Sequence, residues 1–242
     1  MKAGKIVLLS GGLDSATVLA SAVLDDHPCV CLSFYYGQRH HYEMAAAKWI
    51  AEYYGVTHEF VKLTIPAWHT EGASSLTFSG MDVPTGCEEI GQSVPNTFVP
   101  GRNLVFLSIA VATAGVYGAT DILIGANAID YSGYPDCRPS FLNAFGLAAG
   151  LALDTATLKV CFPLLSFSKA DIVRKGIELE VPYHLTWSCY NPVDSADANI
   201  PILACGDCDS CRLRLKGFKE AGERDPLAYV QTDYVQAMDC SS

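Results

Sequence analysis

Lys5-Ile6-Val7-Leu8-Leu9-Ser10-Gly11-Gly12-Leu13-Asp14-Ser15 is the stretch that decides the fold. Its first five residues are a short, apolar, branched run that reads as a buried parallel strand. The run from Ala16 to Leu24 has helical composition, with Asp14 or Ser15 as its expected cap. Between the two, Gly11 and Gly12 permit positive φ and close backbone approach, so successive N–H groups and a helix N-terminus can converge on a phosphate. No lysine follows the glycines as a Walker A loop requires, and G-x-G-x-x-G is absent. On this stretch alone, a phosphate cradle and an ordinary capped turn both stay open.

Outward from the loop, strand-like runs recur at Cys29 to Phe34, Thr57 to Leu63, Asp121 to Gly125 and Leu158 to Phe162. Helical segments alternate with them, the clearest being Glu43 to Tyr54 with Gly55 as its stop. This alternation predicts an α/β fold, a doubly wound and mostly parallel sheet whose ligands sit beyond the carboxyl ends of the strands. Pro66 to Pro100 has little periodicity and reads as an insertion over the sheet. Leu104 to Tyr117 and Pro139 to Leu153 read as buried helices, and Ser168 caps a more polar one through Ile177.

With 242 residues, 50% of them hydrophobic, the chain can bury a substantial core, which argues against disorder. A formal charge of -10 with only 16 basic residues argues against a nucleic-acid partner. Ile6 to Leu9 is too short for a secretory h-region. Leu104 to Thr120 carries no charge, but Gly115 and Gly118 interrupt it and it falls short of the roughly 20 residues a membrane span needs. The expectation is a cytoplasmic protein with no membrane partner, whose ten cysteines are thiols or metal ligands, not a disulfide framework.

Cys189, Cys205, Cys208 and Cys211 have the spacing C-x15-C-x2-C-x2-C. Two-residue gaps let successive thiolates face one centre, and four thiolates suit the tetrahedral coordination of structural Zn²⁺. A ferredoxin-type run would continue with a cysteine and a proline, where this chain has Leu215-Lys216. A closed site of this kind holds a segment together and leaves no position for substrate.

Four stretches taken together carry a resemblance: Ser10 to Ser15, the four-cysteine knuckle, Phe98-Val99-Pro100-Gly101-Arg102-Asn103, and Asp130-Tyr131-Ser132-Gly133-Tyr134-Pro135-Asp136-Cys137-Arg138. Over about Lys5 to Pro226 the chain resembles the 7-cyano-7-deazaguanine synthases, within the PP-loop ATP pyrophosphatases. The resemblance implies an adenine nucleotide α-hydrolase-like fold, with an ATP-binding domain over 1–180 and a helical, zinc-binding segment over 181–242. It implies a ligase forming C–N bonds in queuosine biosynthesis. ATP and ammonia would convert 7-carboxy-7-deazaguanine to the nitrile preQ0 through an adenylated acid and then an adenylated amide, releasing AMP and diphosphate each time. A homodimer is also implied, with Mg²⁺ as the counter-ion of ATP.

Carried onto this sequence, Leu8, Leu9, Ser10, Gly11, Gly12, Leu13, Asp14, Ser15 and His40 would bind ATP. Asp14, Arg102 and Lys169 would act in catalysis. Arg102, Asn103, Asp130, Tyr131, Tyr134, Asp136 and Arg138 would bind the deazapurine. The residue types fit: Arg102 can meet an α-phosphate or carboxylate, Tyr131 and Tyr134 can stack on a planar base, and Asp130 or Asp136 can accept from a guanidine-like edge. Asn103 is equally a helix-start residue, and Arg138 can pair with Asp136 instead of substrate. His40, in Tyr36-Gly37-Gln38-Arg39-His40-His41, sits after the second strand. A tRNA-modifying PP-loop enzyme or another ammonia-dependent amide synthetase shares the loop and remains an alternative, though the first needs an electropositive docking surface that this acidic chain does not supply and the second does not account for the knuckle together with the Gly-Tyr-Pro-Asp-Cys-Arg stretch.

Overall fold

Lys5–Leu8 (β1) is the centre of a sheet because its neighbours on both sides are also apolar, leaving no solvent face to alternate toward. In the computed structural model, which describes residues 4–25, 27–39, 41–83, 85, 94–127, 134–155, 157–197 and 200–239, this strand pairs in parallel with β2 (Cys29–Tyr35) and β4 (Asp121–Leu123). β3 (Thr57–Lys62) lies outside β2 and β5 (Lys159–Cys161) outside β4, giving the order β3-β2-β1-β4-β5, all parallel. The expected doubly wound sheet is therefore present. Its order reverses between β1 and β4, and a crevice opens beyond the carboxyl ends of that pair.

The helices are α1 (Leu13–Ala22), α2 (Tyr42–Tyr54), α3 (Arg102–Tyr117), α4 (Pro139–Ala152) and α5 (Lys169–Glu178). They cover both faces of the sheet. One core layer joins Ile6, Leu32 and Ile122 to Leu107 of α3 and Leu142 of α4. The other joins Val7, Leu9 and Cys31 to Leu19 of α1, Ile50 of α2 and Ile172 of α5. Gly55 ends α2 in the left-handed conformation, and Ser168 opens α5 with a reciprocal capping box to Asp171, both as the sequence predicts.

Two expectations change. The cap of α1 is Gly12, not Asp14 or Ser15; both lie inside the first turn, and the helix ends at Ala22, short of Leu24. Ser15 cannot cap because its hydroxyl turns back on the loop, donating to the Gly12 carbonyl (3.1 Å) and accepting from the Ser10 N–H (3.2 Å). Second, α3 and α4 are each buried on one face only. Val116 is 85% exposed, Leu147 75% and Leu151 84%, because the sheet covers one side of each helix and none of the described residues covers these positions on the other.

The segment from Pro66 to Pro100 is irregular, as expected, but packed where it is described. A 3₁₀ turn at Pro66–His69 buries Trp68, whose indole N–H donates to the Pro100 carbonyl (2.9 Å), and Ser74, Ser75 and Thr97 are buried with it. After α5 come a short antiparallel pair, β6 (Val193–Asp194) and β7 (Ile202–Leu203), then α6 (Asp209–Ala221) and α7 (Asp233–Asp239). α6 packs on α5 and sends Phe218 into the second core layer. It also buries Arg214, whose Nε and second terminal nitrogen donate to the two oxygens of Asp225 (2.7 and 2.9 Å), while the Thr186 and Ser188 hydroxyls and the Tyr183 carbonyl accept the remaining bonds. A fully engaged guanidinium of this kind is what makes its burial tolerable. Among the described residues, no helix is long and apolar enough to cross a membrane.

Candidate active site

A cavity of about 300 Å³ occupies the crevice between β1 and β4. Leu8, Leu9, Ser10, Gly12, Leu13, Asp14 and Ser15 line it from the loop, and Ile124 to Asn127 line it from the end of β4. Ala16 is the first residue of α1 whose N–H bonds back into the turn, to the Gly12 carbonyl (3.0 Å); the amides before it are those that helix N-termini offer to anions. Gly125 allows this approach, since a Cβ there would sit 3.1 Å from the Ser15 nitrogen.

Gly11 lies with its back to α2. Its φ is +85°, and a Cβ would come within 2.2 Å of the Glu43 carbonyl oxygen and 2.8 Å of the Ala47 nitrogen. Its carbonyl accepts the Trp187 N–H (2.9 Å). The glycine thus seats the loop between α2 and the segment that leads to Cys189.

Asp14 and Lys169, separated by 155 positions, meet at the cavity wall. Lys169 Nζ donates to both carboxylate oxygens (2.9 and 2.8 Å). Lys169 opens α5, and its stem is pressed onto α6: a Cβ at Gly217 would fall 2.4 Å from Lys169 Cγ. Small size at position 217 therefore sets where the ammonium can reach.

Arg102 is the first residue of α3 and faces the same cavity. One guanidinium nitrogen donates to the Tyr36 hydroxyl (3.3 Å), and the group lies 6.0 Å from the ring centres of Tyr36 and Tyr134. Among the described residues it makes no ion pair, in contrast with Lys169 and Arg214. Tyr134 is buried, donates to or accepts from Thr97 Oγ1 (2.8 Å) and stacks on Phe98.

Asn103 lines the cavity too, but its amide groups are turned to the chain: the backbone N–H donates to Asp136 Oδ2 (3.0 Å) and Nδ2 to the Asp136 carbonyl (3.3 Å). Asp136 thus holds the start of α3 and is not among the lining residues. Arg138 is exposed at the start of α4, away from the cavity, and forms no ion pair with Asp136. His40, Asp130 and Tyr131 lie outside the described residues. Cys137 lines the cavity, and burial pushes its thiol up to about 11, toward the protonated form.

The four-cysteine cluster forms as its spacing predicts. The sulfurs of Cys189, Cys205, Cys208 and Cys211 all lie within 4.8 Å of one another. Zn–S bonds of about 2.3 Å in a tetrahedron put sulfurs about 3.8 Å apart, and Cys205 Sγ and Cys211 Sγ are 3.9 Å apart. Backbone N–H groups of Asn191 and Cys205 donate to Cys189 Sγ (3.3 and 3.2 Å), and that of Cys208 donates to Cys205 Sγ (3.4 Å), contacts that stabilise thiolate charge. The donor set fits a tetrahedral thiophilic metal.

Several lining residues escaped the sequence reading. Glu43, Trp187, Asp209, Ser210 and Arg214 all reach the cavity. Trp187 ties the metal segment to the loop, donating its indole N–H to the Cys189 carbonyl (3.0 Å) while its backbone N–H holds Gly11. Asp209 and Ser210 follow Cys208 directly in the first turn of α6, so the knuckle aims them. The signal for these two was the motif itself, since they fill the gap between Cys208 and Cys211.

A parallel sheet reversing at β1/β4, with a glycine loop, a paired Asp–Lys and an arginine that makes no ion pair with any described residue around one cavity, defines a doubly wound α/β protein with a phosphate-loop site. The chain matches the family described as Queuosine biosynthesis protein QueC over residues 4–222, and it belongs to that family. It is 49% identical over 240 residues to the 7-cyano-7-deazaguanine synthase of Thermoplasma acidophilum, covering 96% of both chains. To the 7-cyano-7-deazaguanine synthase of Pseudomonas fluorescens (strain Pf0-1) it is 47% identical over 229 residues, covering 93% of this chain and 94% of that one. Among solved structures, an NMN synthetase from Francisella tularensis overlaps with a TM-score of 0.47 at 16% identity, covering 98% of this chain and 83% of that one, too loosely to argue from. The relatives are enzymes, and so is this chain.

Proposed function

We propose that this enzyme converts 7-carboxy-7-deazaguanine and ammonia to 7-cyano-7-deazaguanine with two ATP-dependent activations. The observation that carries the reading is the convergence of the loop, the Asp14–Lys169 pair and Arg102 on one cavity at the strand switch point. A carboxylate oxygen is a poor leaving group, so the substrate oxygen attacks the α-phosphate and diphosphate departs. Loop amides and the hydroxyls of Ser10 and Ser15 hold that diphosphate, with Mg²⁺ as its counter-ion. Ammonia displaces AMP to give the amide. The amide oxygen is activated in the same way, and loss of AMP leaves the nitrile.

In this scheme Arg102 meets charge at the carboxylate and α-phosphate, and Lys169 leaves Asp14 for the phosphates. Tyr134 and Asn103 border the deazapurine, with Asp130 and Tyr131 from the neighbouring stretch, and His40 meets the nucleotide. Asp136 acts by holding α3. Zn²⁺ in the four-thiolate site anchors residues 181–242 onto the ATP-binding part, 1–180. The exposed apolar faces of α3 and α4 favour a homodimer, which Leu147→Lys with Leu151→Lys would dissociate in sedimentation velocity. A reduced, cytoplasmic setting suits the four thiolates, and the net charge of -10 disfavours a nucleic-acid partner.

Incubating metal-replete protein with ATP, ammonium and the carboxy-deazaguanine tests the proposal. AMP, diphosphate and a product with the mass of the nitrile are expected. Absence of AMP release would refute it, and tight binding of unmodified tRNA at physiological salt would point to a tRNA-modifying enzyme instead.

A further inference from the structure

Glu43 stands in the first turn of α2 and lines the cavity shared by the phosphate loop. The charged groups around that cavity are Arg39 before α2, Asp14 of α1, Arg102 of α3, Lys169 of α5, and Asp209 and Arg214 of α6. Asp14 is engaged by Lys169, and Arg214 by Asp225. Glu43, by contrast, makes no ion pair and no side-chain hydrogen bond among the described residues. Burial pushes its carboxyl up to about 7, against the opposing pull of the Arg102 guanidinium. A carboxylate of that kind is half protonated near neutrality, the condition under which one group both takes and releases protons efficiently.

The reaction proposed above needs such a group at the nitrogen. Ammonium has no lone pair and must lose a proton before it can attack. The nitrogen sheds another as the tetrahedral adduct collapses to the amide, and two more as the adenylated amide becomes a nitrile. We propose that Glu43 is the base that receives ammonium in this cavity and takes the protons leaving its nitrogen. In the first half, N–H bonding electrons stay on nitrogen as Glu43 takes the proton. The freed lone pair forms the C–N bond, and the C–O bond to AMP breaks with its electrons on the phosphate oxygen. In the second half, the nitrogen's remaining protons pass to Glu43 as the C–O bond to AMP breaks and the C≡N bond completes. Between transfers Glu43 returns each proton to water.

This inference rests on the reaction proposed above, and the test separates the two. Carboxy-deazaguanine-dependent exchange of diphosphate into ATP reports adenylation without nitrogen. In Glu43→Gln, amide and nitrile formation from ammonium is expected to fall by roughly 10²-fold or more, with a much smaller loss in the exchange. Wild-type turnover should decline as pH falls through about 7, where Glu43 protonates and ceases to be a base, whereas in Glu43→Gln the rate should follow the fraction of free ammonia with no break near 7. Hydroxylamine, already uncharged at neutral pH, should restore hydroxamate formation in the variant, and Glu43→Asp should keep part of the ammonium-dependent rate. Exchange that falls as far as the ammonium step, or a parallel rise in the Mg²⁺ requirement, would make Glu43 a nucleotide or cation ligand and overturn the proposal. Unaltered ammonium-dependent turnover in the variant would overturn it also. A wild-type enzyme with no exchange would sink the assigned reaction, and Glu43's part with it.

Discussion

Stripping the four-cysteine site of its metal, by chelation or by Cys208→Ser, is expected to lower the thermal midpoint by on the order of 10 °C and to remove turnover with it. Without a cation the site gathers sulfurs within 4.8 Å of one another, one at the cap of α6 and one in its first turn, and ionised thiolates at that spacing repel. Structural zinc contributes roughly 10–16 kcal/mol of folding energy in zinc-finger peptides. Even about 4 kcal/mol of that corresponds to on the order of 10 °C for a chain of this size. Activity should follow because the knuckle is built into the cavity. Cys189 anchors Trp187, whose N–H holds the Gly11 carbonyl, and Cys208 leads into Asp209 and Ser210 on the cavity wall. Scanning fluorimetry with metal analysis and the nitrile assay checks all three. A Cys208→Ser protein with a normal midpoint and normal turnover would show that the cluster stabilises nothing, and iron in place of zinc would change the metal.

The parallel sheet was legible because every strand is signalled locally, by a short apolar run with helix-like sequence between. The knuckle was legible because its spacing alone brings three thiols together. Features that depend on partners distant in sequence were not. Nothing around Asp14 announces that Lys169 will close on it, and nothing around Glu43, read only as a good helix former, shows that the first turn of α2 faces the crevice. The placement of Arg138 was hidden for a related reason. It belongs to a stretch whose Tyr134 reaches the cavity, but the start of α4 carries position 138 out to solvent. Asp136 likewise looked like a ligand group, while its nearest need was the open N-terminus of α3. The outer faces of α3 and α4 read as core because helices hydrophobic all round give no signal of which side the sheet will take.

Arg102→Met is expected to reduce turnover by roughly 10³-fold while leaving the thermal midpoint unchanged or slightly higher. Of the other cations at the cavity, Lys169 is paired with Asp14 and Arg214 with Asp225, while Arg39 donates to the Met81 carbonyl. Arg102 instead faces the cavity from the first turn of α3, with the Tyr36 hydroxyl and two tyrosine rings beside it and the Glu43 and Asp136 carboxyls within electrostatic reach. Taking a guanidinium partly out of water without a carboxylate bonded to it costs free energy in the resting protein, and a methionine of similar length relieves that cost while filling the space. What disappears is the planar fork that can bind two oxygens of a developing phosphate or carboxylate charge at once. A single donor aimed at such charge contributes about 10²–10³ in rate, and two act here. Arg102→Lys should recover little, because a point charge on a flexible stem restores neither the fork nor its contact with the rings. The discriminating measurement pairs carboxy-deazaguanine-dependent diphosphate exchange with thermal unfolding on the same samples. Wild-type exchange in Arg102→Met would remove the residue from the chemistry. A collapse of the midpoint alongside activity would show that the guanidinium holds the cavity together instead of serving the anion that enters it.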